Sequence, residues 1–418
     1  MPMPDTVPPE LASAADLVRE AARQLRHAAA VSPPTADIQL AGAALADGTA
    51  GVALAHIERA RAGLDSWLHA HEWICRAAAA PVSDHDAAGL FFGAPALAFV
   101  LDAAAGPTGR YRGGLVELDA AITRLAHRRA AQTLARIQAG RLTSFAEYDV
   151  FLGLTGLGAL LLRRALASSA TEQVLTALVA LTRPLTVDDE TLPGWWVGHD
   201  PHRRQTQAFR GGHSNLGAAH GITGPLALLS LAARRGVLVD GHLDAVGTIC
   251  DWLDAWQQDG PTGPWWPEHL ALGELRAGRC VQPGPARPSW CYGTPGITRA
   301  GQLAAIALGD RPRQMAYEQA LLACLDDPAQ QARLTDPGLC HGQAGLFQTV
   351  WRVAADATTS DLRTRLPKLA DRLLHAAQTV DPSGPGFLTG SAGIALALHT
   401  ASTNTAPLSG WDTCLLIN

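Results

Sequence analysis

The chain has 418 residues, 47% of them hydrophobic and only 17% charged, which supplies a large core and excludes an intrinsically disordered protein. A net charge of −5, with no Lys/Arg cluster beyond pairs such as Arg203-Arg204, excludes the electrostatic footprint of a nucleic-acid binder. No charged or Pro/Gly/Ser-rich linker divides the sequence, so one domain over 1–418 is expected.

From the N-terminus, MPMPDTVPPELASAADLV has no basic residue ahead of an apolar core, and no apolar run reaches the ~20 residues of a membrane-spanning helix. A cytoplasmic protein without transmembrane segments is expected. Apolar residues at three- and four-residue spacing then predict an amphipathic helix over 10–30, followed by a glycine turn and an apolar run, GTAGVALA, at 48–55. The alternation continues: helix 66–80, GAPALAFVL at 93–101, helix 116–139, GLTGLGALLL at 153–162, helix 171–183. The stretch 186–219, with Trp195 and Trp196 and many turn residues, breaks the helical period and is expected to form a non-helical elaboration near the mouth of the active site. GITGPLALL at 221–229, helix 240–257, GTPG at 293–296, helix 312–325, GQAGLFQTV at 342–350, helix 359–378 and GSAGIALAL at 390–398 complete the series. The unit at 93 departs from the rest by having Ala96 where the others have a second glycine.

A helix apolar on all sides is buried on all sides, whereas an amphipathic one faces solvent. Seven alternating pairs therefore predict an all-α fold, an (α/α)₇ toroid or barrel with seven inner and seven outer helices. In each turn the first glycine is expected to supply a conformation closed to residues with a Cβ, and the second to permit close approach of a neighbour. The inner helix N-termini then converge on one end of the ring, where unpaired N–H groups would favour negative charge.

Two of these turns carry chemistry. SWCYGTPG at 289–296 and CHGQAG at 340–345 place Cys291, Cys340 and His341 beside glycine turns, and two thiolates with one imidazole suit Zn²⁺ with a fourth position left open. The seven cysteines form no disulfide ladder, which favours ligands over a bridge.

The strings YDVFLGLTGLG (148–158), NLGAAHGITGP (215–225), RPSWCYGTPG (287–296), LCHGQAG (339–345), LTGSAG (388–393) and WDTCLLI (411–417) resemble the lanthionine synthetase C-like proteins, zinc-dependent lanthipeptide cyclases of toroidal fold. The resemblance covers most of the chain. It implies Cys291, Cys340 and His341 as zinc ligands, surrounded by Asp149, His220, Arg287 and Tyr292. It also implies addition of a peptide cysteine thiol to a dehydroalanine or dehydrobutyrine of the same precursor peptide. A bound leader segment and a complex with a dehydratase and an exporter are further expectations. His220 is expected to protonate the α-carbon, its ordinary pKa near 6.5 suiting that exchange. Arg287 would stabilise the enolate or orient the peptide carbonyl, and Asp149 would hold one tautomer of His220 or accept the thiol proton. Each also has a plainer reading: Asp149 as a helix cap, Arg287 as a solvated side chain, Tyr292 as packing, and His213 as a rival to His220. Two other functions compete, addition of a small thiol such as glutathione to dehydrated peptides, and a scaffold that only binds precursor.

Overall fold

The computed structural model describes residues 12–30, 44–79, 81–164 and 168–418. Seven glycine-led helices form its inner ring: α2 (Thr49–Arg61), α4 (Ala94–Ala105), α7 (Leu154–Arg164), α9 (Thr223–Arg234), α12 (Thr294–Leu308), α15 (Gln343–Asp356) and α17 (Ser391–Thr403). Each packs on the next, and α17 packs back on α2, so the ring closes. Outside lie α1 (Ala14–Ala30), α3 (Trp67–Ala77), α5 (Arg112–Gln138), α8 (Ser169–Leu181), α10 (His242–Ala255), α13 (Arg311–Asp326) and α16 (Asp361–Thr379), and the short α6 (Phe145–Tyr148), α11 (Leu272–Ala277) and α14 (Pro328–Ala332) lie in the connections. Each outer helix from α3 to α16 packs on the inner helix before it, while α1 closes the outer layer by packing on α17. The first two residues of the helix predicted over 10–30 lie outside the described residues.

The burial pattern follows the apolar spacing. In α4 only Asp102 and Ala105 escape full burial, whereas α1 buries a single stripe, Leu17, Glu20, Ala21, Gln24, Leu25 and Ala28. Outer helices α3, α8 and α13 start on side-chain caps, Ser66 on Leu68 N, Ser168 on Thr171 N and Asp310 on Arg313 N, whereas α5, α10 and α16 have none. Inner helices α2, α4, α12, α15 and α17 start on glycine without one.

The expectation of free N–H groups at the glycine end is corrected at two helices. In α15 the amides of Gln343, Ala344 and Gly345 donate to the carbonyls of Asp336, Pro337 and Gly338, and in α17 those of Ser391, Ala392 and Gly393 donate to Gly384, Pro385 and Gly386. A buried helix end has to be paired, and the preceding loop pairs it.

The glycines explain how the loop lies so close. A Cβ on the second glycine would fall on the carbonyl oxygen six residues earlier: 2.4 Å for Gly51 on Leu45, 2.0 Å for Gly156 on Val150, 2.7 Å for Gly224 on Ala218, 2.1 Å for Gly296 on Trp290, and 1.8 Å for both Gly345 on Leu339 and Gly393 on Phe387. The first glycine is not conformationally special in general. Among these leading glycines only Gly93 (φ 76°) and Gly293 (φ 116°) have positive φ. The others need room: a Cβ on Gly153 would sit 2.1 Å from Asp149 N, and one on Gly342 2.3 Å from Asp336 O.

These loops are joined to one another by a closed belt of backbone hydrogen bonds. Leu45 N donates to Phe91 O, Phe91 N to Phe151 O, Val150 N to Ala219 O, Ala219 N to Cys291 O, Cys291 N to Cys340 O, Cys340 N to Leu388 O, and Leu388 N back to Ala46 O, at 2.8–3.3 Å. The belt fixes the order and spacing of whatever side chains the loops carry. From the other side the ring is filled by the C-terminal 3₁₀ turn Trp411–Leu415, held by Arg163 on Gly410 O, Arg352 on Asp412, Arg299 on Ile417 O and Trp290 Nε1 on Leu415 O.

The segment 186–219 is non-helical apart from the 3₁₀ turn Gln207–Phe209. It contains most of an antiparallel hairpin, β1 (Leu185–Val187) with β2 (Glu190–Leu192), and β3 (His213–Asn215), which pairs antiparallel with β4 (His269–Ala271). Val197 bridges Thr143 and His213, tying this segment to the loop before Asp149.

Candidate active site

Four consecutive belt positions carry the residues singled out by the sequence. Val150 follows Asp149, Ala219 precedes His220, Cys291 precedes Tyr292, and Cys340 precedes His341. Belt bonds join each of these positions to the next, so residues 49 to 72 positions apart in sequence sit on neighbouring turns. Gly217 permits the closest of these approaches, since a Cβ there would meet Cys291 O at 2.5 Å and the Tyr292 ring at 2.6 Å.

Asp149 is fully buried. Its Oδ1 accepts from Leu152 N (2.8 Å) and Gly153 N (2.9 Å), and its Oδ2 from His220 Nδ1 at 2.7 Å. It therefore caps the turn that leads into α7 and orients the imidazole at once. A carboxylate can only accept, so His220 Nδ1 carries a proton and Nε2 faces the open side. Phe145 stacks on the His220 ring at 5.4 Å and Phe151 lies against it at 4.8 Å. His213 stands apart, buried among Phe145, Phe209 and His269 with Nδ1 on His199 O.

The two sulfurs are within hydrogen-bonding reach of each other. The Cys291 thiol is held below its ordinary value by the bond from Cys340, against burial and with help from Ser289 (3.6 Å to the sulfur) and the Arg287 charge. Cys340 is pushed well above, first by its bond to Cys291 and then by burial, so one proton is shared between them. Burial and the Arg287 charge pull His341 down, keeping its imidazole neutral and able to donate a lone pair. Its Nδ1 is buried without a hydrogen-bond partner, 3.8 Å from Asp336 Oδ2. A proton-sharing sulfur pair beside an orphaned imidazole nitrogen fits the donor set of a zinc site with an open fourth position. The His341 nitrogens and the two sulfurs do not all lie within 4.8 Å of one another. Among the described residues the donor atoms that all lie within 4.8 Å of one another belong to His56, Asp65 and His69.

That second group lies between inner helix α2, which carries His56, and outer helix α3, which carries His69, and both imidazoles donate to Asp65, at 2.9 and 2.8 Å. Arg26, Arg59 and Arg76 line the same cavity of about 390 Å³. Three guanidinium groups make it a poor seat for a bare dication.

Tyr292 completes the mouth. Burial raises its hydroxyl pKa, and Asn215 Nδ2 donates to its oxygen at 3.1 Å, leaving the O–H free to donate. Ser289, bonded to Tyr292 and Cys291, escaped the sequence reading, as did Asn215 and Arg203, whose guanidinium lies 3.6 Å from Asp149 Oδ2; the roles of these last two depend on partners far along the chain. Trp290 is wall, its indole bonded to Leu415 O.

A helical toroid carrying a paired-thiol centre beside a carboxylate–imidazole pair defines the class. The chain belongs to the lanthionine synthetase C-like family, described as "Lanthionine synthetase C-like protein", which residues 40–416 match. It is 24% identical over 260 residues to the nisin biosynthesis protein NisC of Lactococcus lactis subsp. lactis, an alignment covering 60% of this chain and about 60% of that relative's length. The solved structure of a nisin cyclase superposes with a TM-score of 0.75 at 18% identity, over 96% of this chain and 97% of the other, a likeness of fold.

Proposed function

We propose that this protein is a zinc-dependent lanthipeptide cyclase, closing thioether rings in a precursor peptide already dehydrated at Ser or Thr. The observation that carries this reading is the belt, along which the turn of Cys291 follows that of the Asp149–His220 pair and the turn of Cys340 and His341 follows Cys291. A Zn²⁺ held by those three residues would lower the pKa of a substrate thiol and make it nucleophilic at neutral pH.

The chain's own residues account for the rest. As sulfur bonds to the β-carbon, the Cα=Cβ pair moves onto the carbonyl oxygen, where the free O–H of Tyr292 can donate to the growing charge. The α-carbon then needs a proton, and His220 Nε2 delivers it, having received the one lost by the thiol; nothing is gained or lost overall. Asp149, with both oxygens occupied and no exposure, orients His220 and steadies the imidazolium, which favours that role over accepting the thiol proton. Phe145 and Phe151 keep water from the ring faces. The precursor's leader and any dehydratase or exporter belong to the same proposal.

The test is a dehydrated peptide with one cysteine. Cyclisation consumes the alkylatable thiol at constant mass, whereas addition of an external thiol such as glutathione raises the mass by one thiol molecule. Cys291→Ala is expected to lose bound zinc and ring closure together. Loss of zinc with ring closure at the wild-type rate would overturn metal-assisted catalysis, and binding without any reaction in the wild type would leave a scaffold.

A further inference from the structure

Two guanidinium groups flank the site, on different sides. Arg287 is exposed and its charge falls on Cys291, Cys340 and His341, the sulfur side. Arg203 stands on the acid side, with Nη2 3.6 Å from Asp149 Oδ2 and its side chain 47% exposed. That distance is too long for a hydrogen bond, and Asp149 already accepts three. Among the described residues no other carboxylate lies within 4.0 Å of Arg203 and its side chain donates no hydrogen bond, so its donors are unspent over the Asp149–His220 pair.

The loop that carries Arg203 is built to hold it there. Buried Asp200 accepts from His202 N and Arg204 N, both at 2.8 Å, while Asp200 N donates to Arg204 O and Arg203 N to Asp200 O. The result is a closed turn whose tip is Arg203, at φ 62°. A bulky L residue seldom occupies that region, and glycine or asparagine would be the ordinary choice. The turn is anchored beside the site, since His199 donates to Asp200 O and accepts from Phe145 N, and Phe145 is the ring stacked on His220.

We propose that Arg203 is a further catalytic residue, a charged donor that joins the Tyr292 O–H in receiving the acceptor's carbonyl oxygen as it takes up enolate charge. This rests on the cyclase reading. In that reaction the sulfur lone pair forms the S–Cβ bond, the displaced π pair goes to the oxygen, and the return of that pair accompanies Cα–H bond formation with the His220 proton. The charged oxygen and the protonated carbon are neighbours in the acceptor, so the oxygen belongs on the acid side. Arg203 is there, and Arg287 is left to the sulfur side.

The test uses the full chain loaded with zinc and a synthetic peptide bearing one cysteine and one dehydroalanine, read by thiol alkylation and mass. Arg203→Gln and Arg203→Gly are expected to lower kcat by about 10²-fold, the loss typical of one oxyanion donor, with KM little changed. Arg203→Lys, which keeps the charge but not the fork, should fall between these and the wild type. Arg203→Gly also relieves the positive φ, so its Tm should equal or exceed that of the wild type while its activity falls. Glutamine and glycine variants that cyclise within about twofold of wild type would overturn the inference. So would a Tm loss in all three variants that parallels their loss of rate, which marks a structural role. A wild type that consumes no thiol would overturn the cyclase reading and this inference with it, an outcome distinct from an active wild type with active Arg203 variants.

Discussion

Replacing Gly296 by alanine tests the belt and the turn geometry together. A Cβ there would stand 2.1 Å from Trp290 O, 3.1 Å from Trp290 C and 3.2 Å from Ala218 Cβ. A carbon meets a carbonyl oxygen no closer than about 3.3 Å, so the Trp290 peptide has to retreat by roughly 1 Å. Cys291 follows it directly, and two belt bonds, Cys291 N to Cys340 O (3.2 Å) and Ala219 N to Cys291 O (3.3 Å), depend on its position. Buried amides left unpaired cost about 1–3 kcal/mol each, and exchanging a helical glycine for alanine returns about 1 kcal/mol. The net expectation is a loss of about 1–5 kcal/mol, read from the urea midpoint at unchanged slope. Bound zinc and ring closure should weaken as well. Ala96→Gly is the control, because the second unit already accommodates a buried Cβ there; it should cost only about 1 kcal/mol, from helix propensity. A Gly296→Ala protein as stable as the wild type, or more so, would refute the reasoning, since propensity alone would then decide.

Asp149→Asn should keep the turn caps, and stability within about 1 kcal/mol, while ring closure falls on the order of 10²-fold or more because His220 is no longer held in its reactive tautomer. Near-wild-type closure would leave Asp149 as a cap alone. His213 is fully buried and burial lowers its pKa to about 4, so between pH 6.5 and 4 the unfolded chain binds the proton that the folded one refuses. Stability therefore falls as pH drops through that window, by up to about 3 kcal/mol, and His213→Gln should flatten that part of the curve in urea titrations at several pH values. Arg299, buried and bonded to Ile417 O, Asp356 and Gln302, ties the C-terminal turn into the ring. Arg299→Met should cost about 3–5 kcal/mol in chemical denaturation, and an unchanged midpoint would show that the turn is held otherwise.

The toroid was legible because its signal is local and repeated. Each inner helix is apolar all round, each outer one is striped, and both properties depend only on neighbours three and four residues away. Cys291, Cys340 and His341 could be nominated for a related reason, since residue type and an adjacent glycine suffice to single out a candidate ligand. Asp149 shows where local reading stops: its cap on Leu152 and Gly153 is short-range, yet its bond to His220 spans 71 residues. Asn215 on Tyr292 and Arg203 over Asp149 left no mark in the sequence. The second glycines were expected to admit a close neighbour, but which neighbour, a carbonyl six residues back in the space of a Cβ, only the structure shows.

By itself, then, the sequence determined the alternation of buried and striped ring helices and nominated the candidate reactive groups. Tertiary structure decided which groups meet. Periodicity is written residue by residue along the chain, whereas the belt exists only when seven separate loops close a circle and each amide finds its acceptor on the next turn.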